Sequence, residues 1–257
     1  MKSQSELKHF ILLFLMVSII GLLAFSLESS DINEISTIKI IGNKYLEEDE
    51  YLKYSQLMGK LVNNEITIAL IRDRLEKHPY IENIDVVILE RGIAQVQVFE
   101  KKMDAVLLGN STKYIITNRA EVLPLLPTTS NINLPVIVST EKNDKIKNFT
   151  SATNCERLYS ALKIISTAEI YDTNLYENIS EIDLLESDEL ALHLSNFSYP
   201  IYFGTKNEIE KTVYLSKLYR HMQGNKLTEY LSYIDLRFNE MVYLGFNELA
   251  ANQKESI

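Results

Sequence analysis

The sequence predicts an α+β protein with a single N-terminal transmembrane helix, a small βααββ unit and a larger mixed or antiparallel β-sheet domain with packed helices. One observation is an uninterrupted apolar run near the N-terminus. A second is the repeated alternation of apolar and polar residues, which is typical of half-buried strands, and a third is a set of apolar stripes at helical spacing. With 257 residues, 46% of them hydrophobic, the chain can bury a core in one large or two small domains.

The apolar run extends from Phe10 to Leu27, and its eighteen residues carry no charge. At about 1.5 Å of rise per residue, a helix of this length approaches the hydrocarbon thickness of a bilayer. A cleaved signal peptide is the alternative, with a small-residue site at 24–26, but its apolar core is usually only about 7–15 residues long. We therefore predict a transmembrane helix over residues 10–27, with anchor positions spread along it: Phe10, Leu15, Ile20 and Leu27.

The charges that flank this run predict its orientation. Lys2 and Lys8 precede it, whereas Glu28 and Asp31 follow it. The positive-inside rule therefore predicts a cytoplasmic tail over residues 1–9 and places the rest of the chain outside the cytoplasm. We expect a single-pass protein of the cell inner membrane.

Net charge and cysteine content restrict the function classes. A formal net charge of −9 argues against a nucleic-acid groove, which needs clustered Lys and Arg to neutralise phosphates. Cys155 is the only cysteine, so no intramolecular disulfide can form and an exported domain must be held together by packing.

A small unit is predicted over residues 35–105. Its clearest helix carries Ile68, Ile71 and Leu75 at helical spacing and stops near Pro79, because proline disfavours helix at the residue before it. Strands are predicted on either side from apolar alternation and turn residues. The predicted order is strand, helix, helix, strand, strand over residues 36–41, 47–57, 67–77, 84–89 and 94–99.

Three stretches of this unit follow one another in a specific order: IKIIGNKYL, RLEKHPYIENIDVVILERG and VQVFEKKMDAVLL. In this order the chain resembles the FtsQ/DivIB family of bacterial cell-division proteins, and the resemblance implies a POTRA domain over residues 35–105. The family's last strand usually runs into Glu-Arg-x-Pro-x-Ala, whereas the segment from Glu100 to Ala105 reads EKKMDA and lacks the proline. The missing proline weakens the prediction of where the domain ends, but it does not weaken the prediction of the domain itself.

Residues 106–245 are expected to form an FtsQ-type β domain, followed by a flexible tail over 246–257. A capping box is predicted from Thr205 to Glu208 at the start of its last helix. The apolar face of that helix carries Leu215, Leu218 and Met222, and Gly224 is expected to end it. Another helix is predicted over 154–168, and strands are predicted over 113–116, 122–124, 134–137, 180–183, 190–194 and 201–203.

Two positions bear on the resemblance in this domain. Ala120 stands where glycine is common in the family, so the turn there is expected to differ. The segment from Tyr233 to Leu244 reads YIDLRFNEMVYL and closely resembles the family's terminal strand. In such a strand, period two places Ile234 and Phe238 on one face, together with Leu236.

No motif in the sequence predicts catalysis, a cofactor or a metal. The four histidines lie on separate elements without a second ligand at helical spacing, and Cys155 lacks the local sequence of an activated nucleophile. Short acidic runs such as 47–50 and 186–189 are typical of solvated helix starts and turns. The histidines are His9, His78, His193 and His221.

The resemblance implies a non-enzymatic bitopic scaffold of the divisome that links other membrane division proteins, FtsB/DivIC-like and FtsL-like, during septum formation. A POTRA-containing membrane-anchored export or envelope-assembly component is the alternative, but an export pore would need many more amphipathic strands. A membrane-anchored wall hydrolase would need a nucleophile or a set of metal ligands.

The resemblance also implies that partners bind at the terminal strand. An exposed sheet edge can accept an incoming strand through its unpaired backbone groups. We predict strand addition along residues 237–243. An arginine there could also pair with an acidic residue on the partner. The predicted partner-binding residues are Arg237, Phe238, Met241, Val242 and Tyr243.

Overall fold

The computed structural model describes residues 13–20, 35–58, 66–89, 92–109, 112–139, 146–185, 189–238 and 241–247. Residues 13–20 (α1) are helical, and the side chains of Leu15 and Ile20 are exposed. Phe10, Leu27, the predicted cytoplasmic tail and residues 248–257 lie outside the described residues. A search of the described residues finds no helix both long and apolar enough to span a bilayer, so the anchor stays a prediction.

The smaller unit has the predicted order of strand, helix, helix, strand, strand. The elements are β1 (Thr37–Ile41), α2 (Glu48–Tyr54), α3 (Ile68–Leu75), β2 (Ile81–Leu89) and β3 (Ile93–Glu100). In the three-stranded sheet the middle strand is β3, which pairs in parallel with β1 and antiparallel with β2. Thr67 caps α3, because its hydroxyl oxygen accepts a hydrogen bond from the Leu70 amide.

Among the described residues, the larger sheet has nine strands: β4 (Met103–Leu108), β5 (Lys113–Thr117), β6 (Val122–Pro124), β7 (Val136–Ser139), β8 (Ile179–Leu184), β9 (Glu189–Leu194), β10 (Ile201–Gly204), β11 (Leu231–Asp235) and β12 (Tyr243–Phe246). Their order in the sheet is β12-β11-β10-β9-β8-β7-β4-β5-β6. Three pairs, β4–β7, β7–β8 and β10–β11, are parallel and the others are antiparallel. The sheet is therefore mixed, and the α+β fold class is confirmed.

Helices connect two of the three parallel pairs and cover the sheet. α4 (Glu156–Tyr171) and the short α5 (Thr173–Asn178), which was not predicted, lead from β7 to β8, and α6 (Glu208–Met222) leads from β10 to β11. The buried side chains of α4 and α6 join the sheet in one apolar core, as the helical stripes predicted. Leu215 is fully buried there.

The two units share part of their packing. Met103, Ile115 and Leu123 belong to the larger sheet, yet they lie in the apolar core of the smaller unit. The predicted domain boundary between residues 105 and 106 falls within β4, the first strand of the larger sheet. The chain therefore enters the larger sheet before it leaves the core of the smaller unit.

The predicted capping box at the start of α6 is wrong. The helix begins at Glu208, and the residue before it, Asn207, adopts a left-handed conformation with φ 57°. The Glu208 carboxylate is buried, accepts a hydrogen bond from the Ser160 hydroxyl and lies 3.4 Å from Lys163 Nζ. Contact with α4 therefore replaces the local cap, because a buried carboxylate needs partners.

The predicted single strand from Tyr233 to Leu244 is also wrong. β11 ends at Asp235, and β12 starts at Tyr243 and runs back antiparallel to β11. The alternation fails at the same point: Ile234 and Leu236 are buried, whereas Phe238 is 52% exposed. Period-two alternation can indicate a strand, but it cannot show where the chain reverses.

Candidate partner-binding surface

The C-terminal hairpin forms one edge of the nine-stranded sheet. Ile234 pairs with Leu244 across the hairpin, and Asp235 pairs with Tyr243. Among the described strands, β12 is last in the order and has β11 as its only neighbour. Its outer side can therefore offer backbone N–H and C=O groups to an incoming strand.

A glycine lets an aromatic ring cover this hairpin. Gly245 lies opposite Tyr233, and a Cβ atom added to Gly245 would come within 2.2 Å of the Tyr233 ring. The ring therefore lies against the backbone of Gly245, and a side chain at this position would push the ring away. Ring contact thus adds to strand pairing in holding β12 against β11.

Apolar side chains cover the start of the hairpin and the segment before it. Phe238, Met241, Val242 and Tyr243 are all exposed. The Phe238 and Tyr243 rings meet edge to face, with their centroids 5.0 Å apart. The exposed side chains of Leu244 and Phe246 add to this surface. Adjoining exposed apolar residues of this kind are typical of protein-interaction sites.

A groove of about 490 Å³ lies between this surface and α6. Phe238, Met241 and Val242 line one side, and Tyr214 and Lys211 are among the α6 residues that line the other. Burial lowers the pKa of Lys211, and its ammonium group donates a hydrogen bond to the Arg237 carbonyl at 3.4 Å. The sequence reasoning missed the α6 side, because only the tertiary fold brings that helix beside the hairpin.

Arg237 is already paired within the protein. Its guanidinium donates to the Asp235 carboxylate at 2.6 Å and to Glu189 at 2.9 Å, and it lies 5.4 Å from the centre of the Tyr202 ring. The Arg237 hydrogen bonds lower the pKa of Asp235, and the two carboxylates raise the pKa of Arg237. This network ties β9 to the end of β11, so Arg237 already has a structural role.

In the structure, four of the five predicted residues lie in the groove or beside it. Phe238, Met241 and Val242 line the groove, and Tyr243 lies beside them on the edge strand. Arg237 does not line the groove. The role of all five in binding a partner remains a prediction.

Three of the other groups considered in the sequence lie apart from this surface. His193 pairs with Asp183 at 3.1 Å across β8 and β9, whereas His78 and Cys155 are buried. Within the described ranges, no group of three or more His, Cys, Asp or Glu side chains is arranged to hold a metal ion.

The fold and this surface define a class of protein: an α+β protein of two packed units whose larger sheet ends in an exposed C-terminal strand. Residues 104–243, more than half of the chain, match the family described as "FtsQ/DivIB, C-terminal related", and the chain belongs to this family. The resemblance seen in the sequence is confirmed. FtsQ/DivIB proteins are non-catalytic cell-division proteins, and the relation indicates a role in cell division.

The comparison with solved structures includes the major extracytoplasmic domain of the trans isomer of the cell-division protein DivIB from Geobacillus stearothermophilus. The sequences are 11% identical, the match covers 49% of this chain and 98% of that chain, and the TM-score is 0.32. A comparison with curated proteins finds no match.

Proposed function

We propose that this protein is a bitopic membrane scaffold of the bacterial division machinery, without enzymatic activity. The anchor over residues 10–27 would hold it in the inner membrane, with residues 1–9 in the cytoplasm. The smaller unit would act as a POTRA domain outside the cytoplasm, followed by the β domain. Family membership supports the division role, and the apolar run and its flanking charges support the anchor and its orientation.

The exposed edge strand β12 beside the apolar groove carries the partner-binding part of this proposal. An added strand would pair with the free side of β12 and extend the sheet by one strand. We therefore propose strand addition along Tyr243–Phe246, in place of the predicted residues 237–243. Phe238, Met241 and Val242 remain as side-chain contacts, because they line the adjoining groove.

The proposed partners are the extracytoplasmic segments of FtsB/DivIC-like and FtsL-like membrane proteins. A segment of such a protein could supply the added strand and place apolar side chains over the exposed rings of Phe238 and Tyr243. Apolar burial is worth roughly 25 cal/mol per Å², so these two rings are strong candidates for anchoring residues.

Lysine substitutions test the site. In the full chain, we expect Met241→Lys and Tyr243→Lys to weaken binding of the FtsB/DivIC-like segment by at least about tenfold, the usual order for losing an interface hot spot. Val87→Lys is the matched control, because Val87 is similarly exposed but lies on β2. Thermal unfolding should show that all three variants fold. Unchanged affinity in both hairpin variants would remove β12 and its groove as the partner site.

The cellular role has a separate test. A fluorescent fusion of the full chain should concentrate at midcell in dividing bacteria. Uniform membrane fluorescence in the same population would contradict a division scaffold, whatever the binding measurements show.

A further inference from the structure

A second groove, of about 310 Å³, lies between α4, the turn after β5 and the start of α6. Tyr159, Ser166 and Ile170 line it from one face of α4, at spacings of two helical turns and one. Asn118 lines it from the turn, and Ile209 lines it from the first turn of α6. The described residues that line this groove do not include any that line the groove beside β12.

The rim of the second groove carries aliphatic side chains that the fold leaves in water. Ile170 is 86% exposed and Ile209 is 59% exposed. Neither belongs to the core, since α4 packs on the sheet through a different face that includes Leu158 and Ile165. Two exposed isoleucines on the rim of one groove favour contact with another apolar surface.

A buried carboxylate also lines this groove. Asp104 is only 5% exposed, and its Oδ1 atom has no hydrogen-bond partner among the described residues. Lys102 Nζ lies 3.8 Å from Oδ1, within ion-pair distance but too far for a hydrogen bond, and it also contacts the Glu169 carboxylate at 2.6 Å. Burial raises the pKa of Asp104. An unsatisfied buried polar atom is costly and uncommon, so it requires an explanation.

The charged groups around the groove do not balance. Lys102 is shared between Asp104 and Glu169, and Lys163 is paired with Glu208. Three carboxylates therefore meet two ammonium groups, so one negative charge is left over. A positively charged group from outside would therefore meet net attraction at this point.

We propose that this groove is a second protein-binding site, whose occupant is a partner segment that carries an arginine or lysine between aliphatic side chains. The cation pairs with the Asp104 carboxylate, while the aliphatic neighbours pack on Ile170 and Ile209. This site goes beyond the strand addition proposed at β12, because it uses different residues. The two grooves border the same first turn of α6, so one molecule could hold two segments side by side.

A pair of peptides that differ in one charge tests the inference. The probes are Ac-Ile-Arg-Leu-Ile-NH₂ and the same peptide with neutral citrulline in place of arginine. The full chain in detergent micelles is titrated with each probe and followed through isoleucine methyl NMR signals. Ile170→Val and Ile209→Val identify the two reporting signals. We expect both signals to shift and the arginine peptide to bind at least about tenfold more tightly.

Asp104→Asn should abolish the preference for arginine, so that the two peptides bind alike. Asp85→Asn, at an exposed carboxylate on β2, should retain the preference, and Tyr243→Lys should also retain it. Equal binding of the two peptides to the parent protein would overturn the proposal, and so would a preference that persists in Asp104→Asn.

Thermal unfolding separates this role from a structural one. If the role of Asp104 is to bind a partner, Asp104→Asn should unfold at the same temperature as the parent protein or higher. The reason is that the variant no longer buries a charge with an unsatisfied oxygen. A fall of several degrees would show that Asp104 serves the fold and would overturn the inference.

Discussion

The hydroxyl oxygen of Tyr80 accepts a hydrogen bond from the backbone N–H of Leu126 at 2.9 Å, which ties the smaller unit to the larger one. The same hydroxyl lies 3.1 Å from the Pro124 carbonyl oxygen and 2.9 Å from the Thr129 hydroxyl. The Tyr80 side chain is fully buried in the core of the smaller unit. The two units are therefore joined by a shared core and a buried polar contact, not by a surface contact alone.

Removing this hydroxyl should destabilise both units together. We expect Tyr80→Phe to lower the free energy of unfolding by about 1–3 kcal/mol, because the Leu126 amide and the Pro124 carbonyl lose a buried partner. Tyr54→Phe is the control, since Tyr54 is 46% exposed. Chemical denaturation monitored by circular dichroism measures the difference, and equal losses in the two variants would contradict the role of Tyr80.

His78 should make the stability depend on pH. Burial lowers the pKa of His78 from 6.5 to about 4, and its neighbours are the uncharged rings of Tyr51, Tyr54 and Tyr80. The unfolded chain therefore binds the proton more readily than the folded protein does. As a result, the contribution of His78 to the free energy of unfolding is fully present above pH 6.5 and is lost as the pH falls towards 4. The shift corresponds to about 3 kcal/mol.

His78→Asn tests this pH dependence. Asparagine cannot titrate, and its oxygen can replace His78 Nδ1, which accepts a hydrogen bond from the Tyr80 amide. The variant should lose less stability than the parent protein between pH 6.5 and 4, measured by denaturation at several pH values. His221→Asn, at an exposed histidine, should behave like the parent protein. Parallel pH profiles for His78→Asn and the parent would contradict the prediction.

The contact between Tyr233 and Gly245 should be needed for the edge strand. In Gly245→Val, the new side chain would displace the Tyr233 ring, so β12 should separate from β11 and binding of the FtsB/DivIC-like segment should be lost. Gly204→Ala is the control within the same sheet, because its Cβ would meet its nearest neighbour, Lys211 Nζ, only at 3.8 Å. Hydrogen exchange of the β12 amides should rise in the first variant alone. Unchanged protection in Gly245→Val would show that the ring contact does not hold the strand.

Ala120 should be a position where glycine stabilises the protein. Its φ is 58°, in the left-handed region that costs a residue with a Cβ atom about 1–2 kcal/mol. The turn expected to differ from the family's therefore has the backbone conformation that favours glycine. We expect Ala120→Gly to raise the free energy of unfolding by up to about 1 kcal/mol, since added freedom in the unfolded chain offsets part of the gain. A lower thermal unfolding temperature than the parent's would contradict this prediction.

Local patterns in the sequence predicted most strands and helices in the right order. Ile38 and Ile40 on β1, and Leu215 on α6, are buried as their periodicity predicted. The same kind of pattern failed at the C-terminus, where Phe238 continued the alternation but lies after the chain has left β11. Periodicity reports which face of an element is apolar, and it contains no information about which element lies opposite.

The sequence by itself determined the order of the elements, the α+β class and the family resemblance, because each depends on residues close together in the chain. Only the tertiary structure decided that β12 forms the sheet edge, that Glu208 contacts α4 and not its own helix cap, and that Asp104 is buried without a hydrogen-bond partner for Oδ1 among the described residues. These features depend on groups far apart in sequence. Their contacts and their loss of water arise only when the elements pack together.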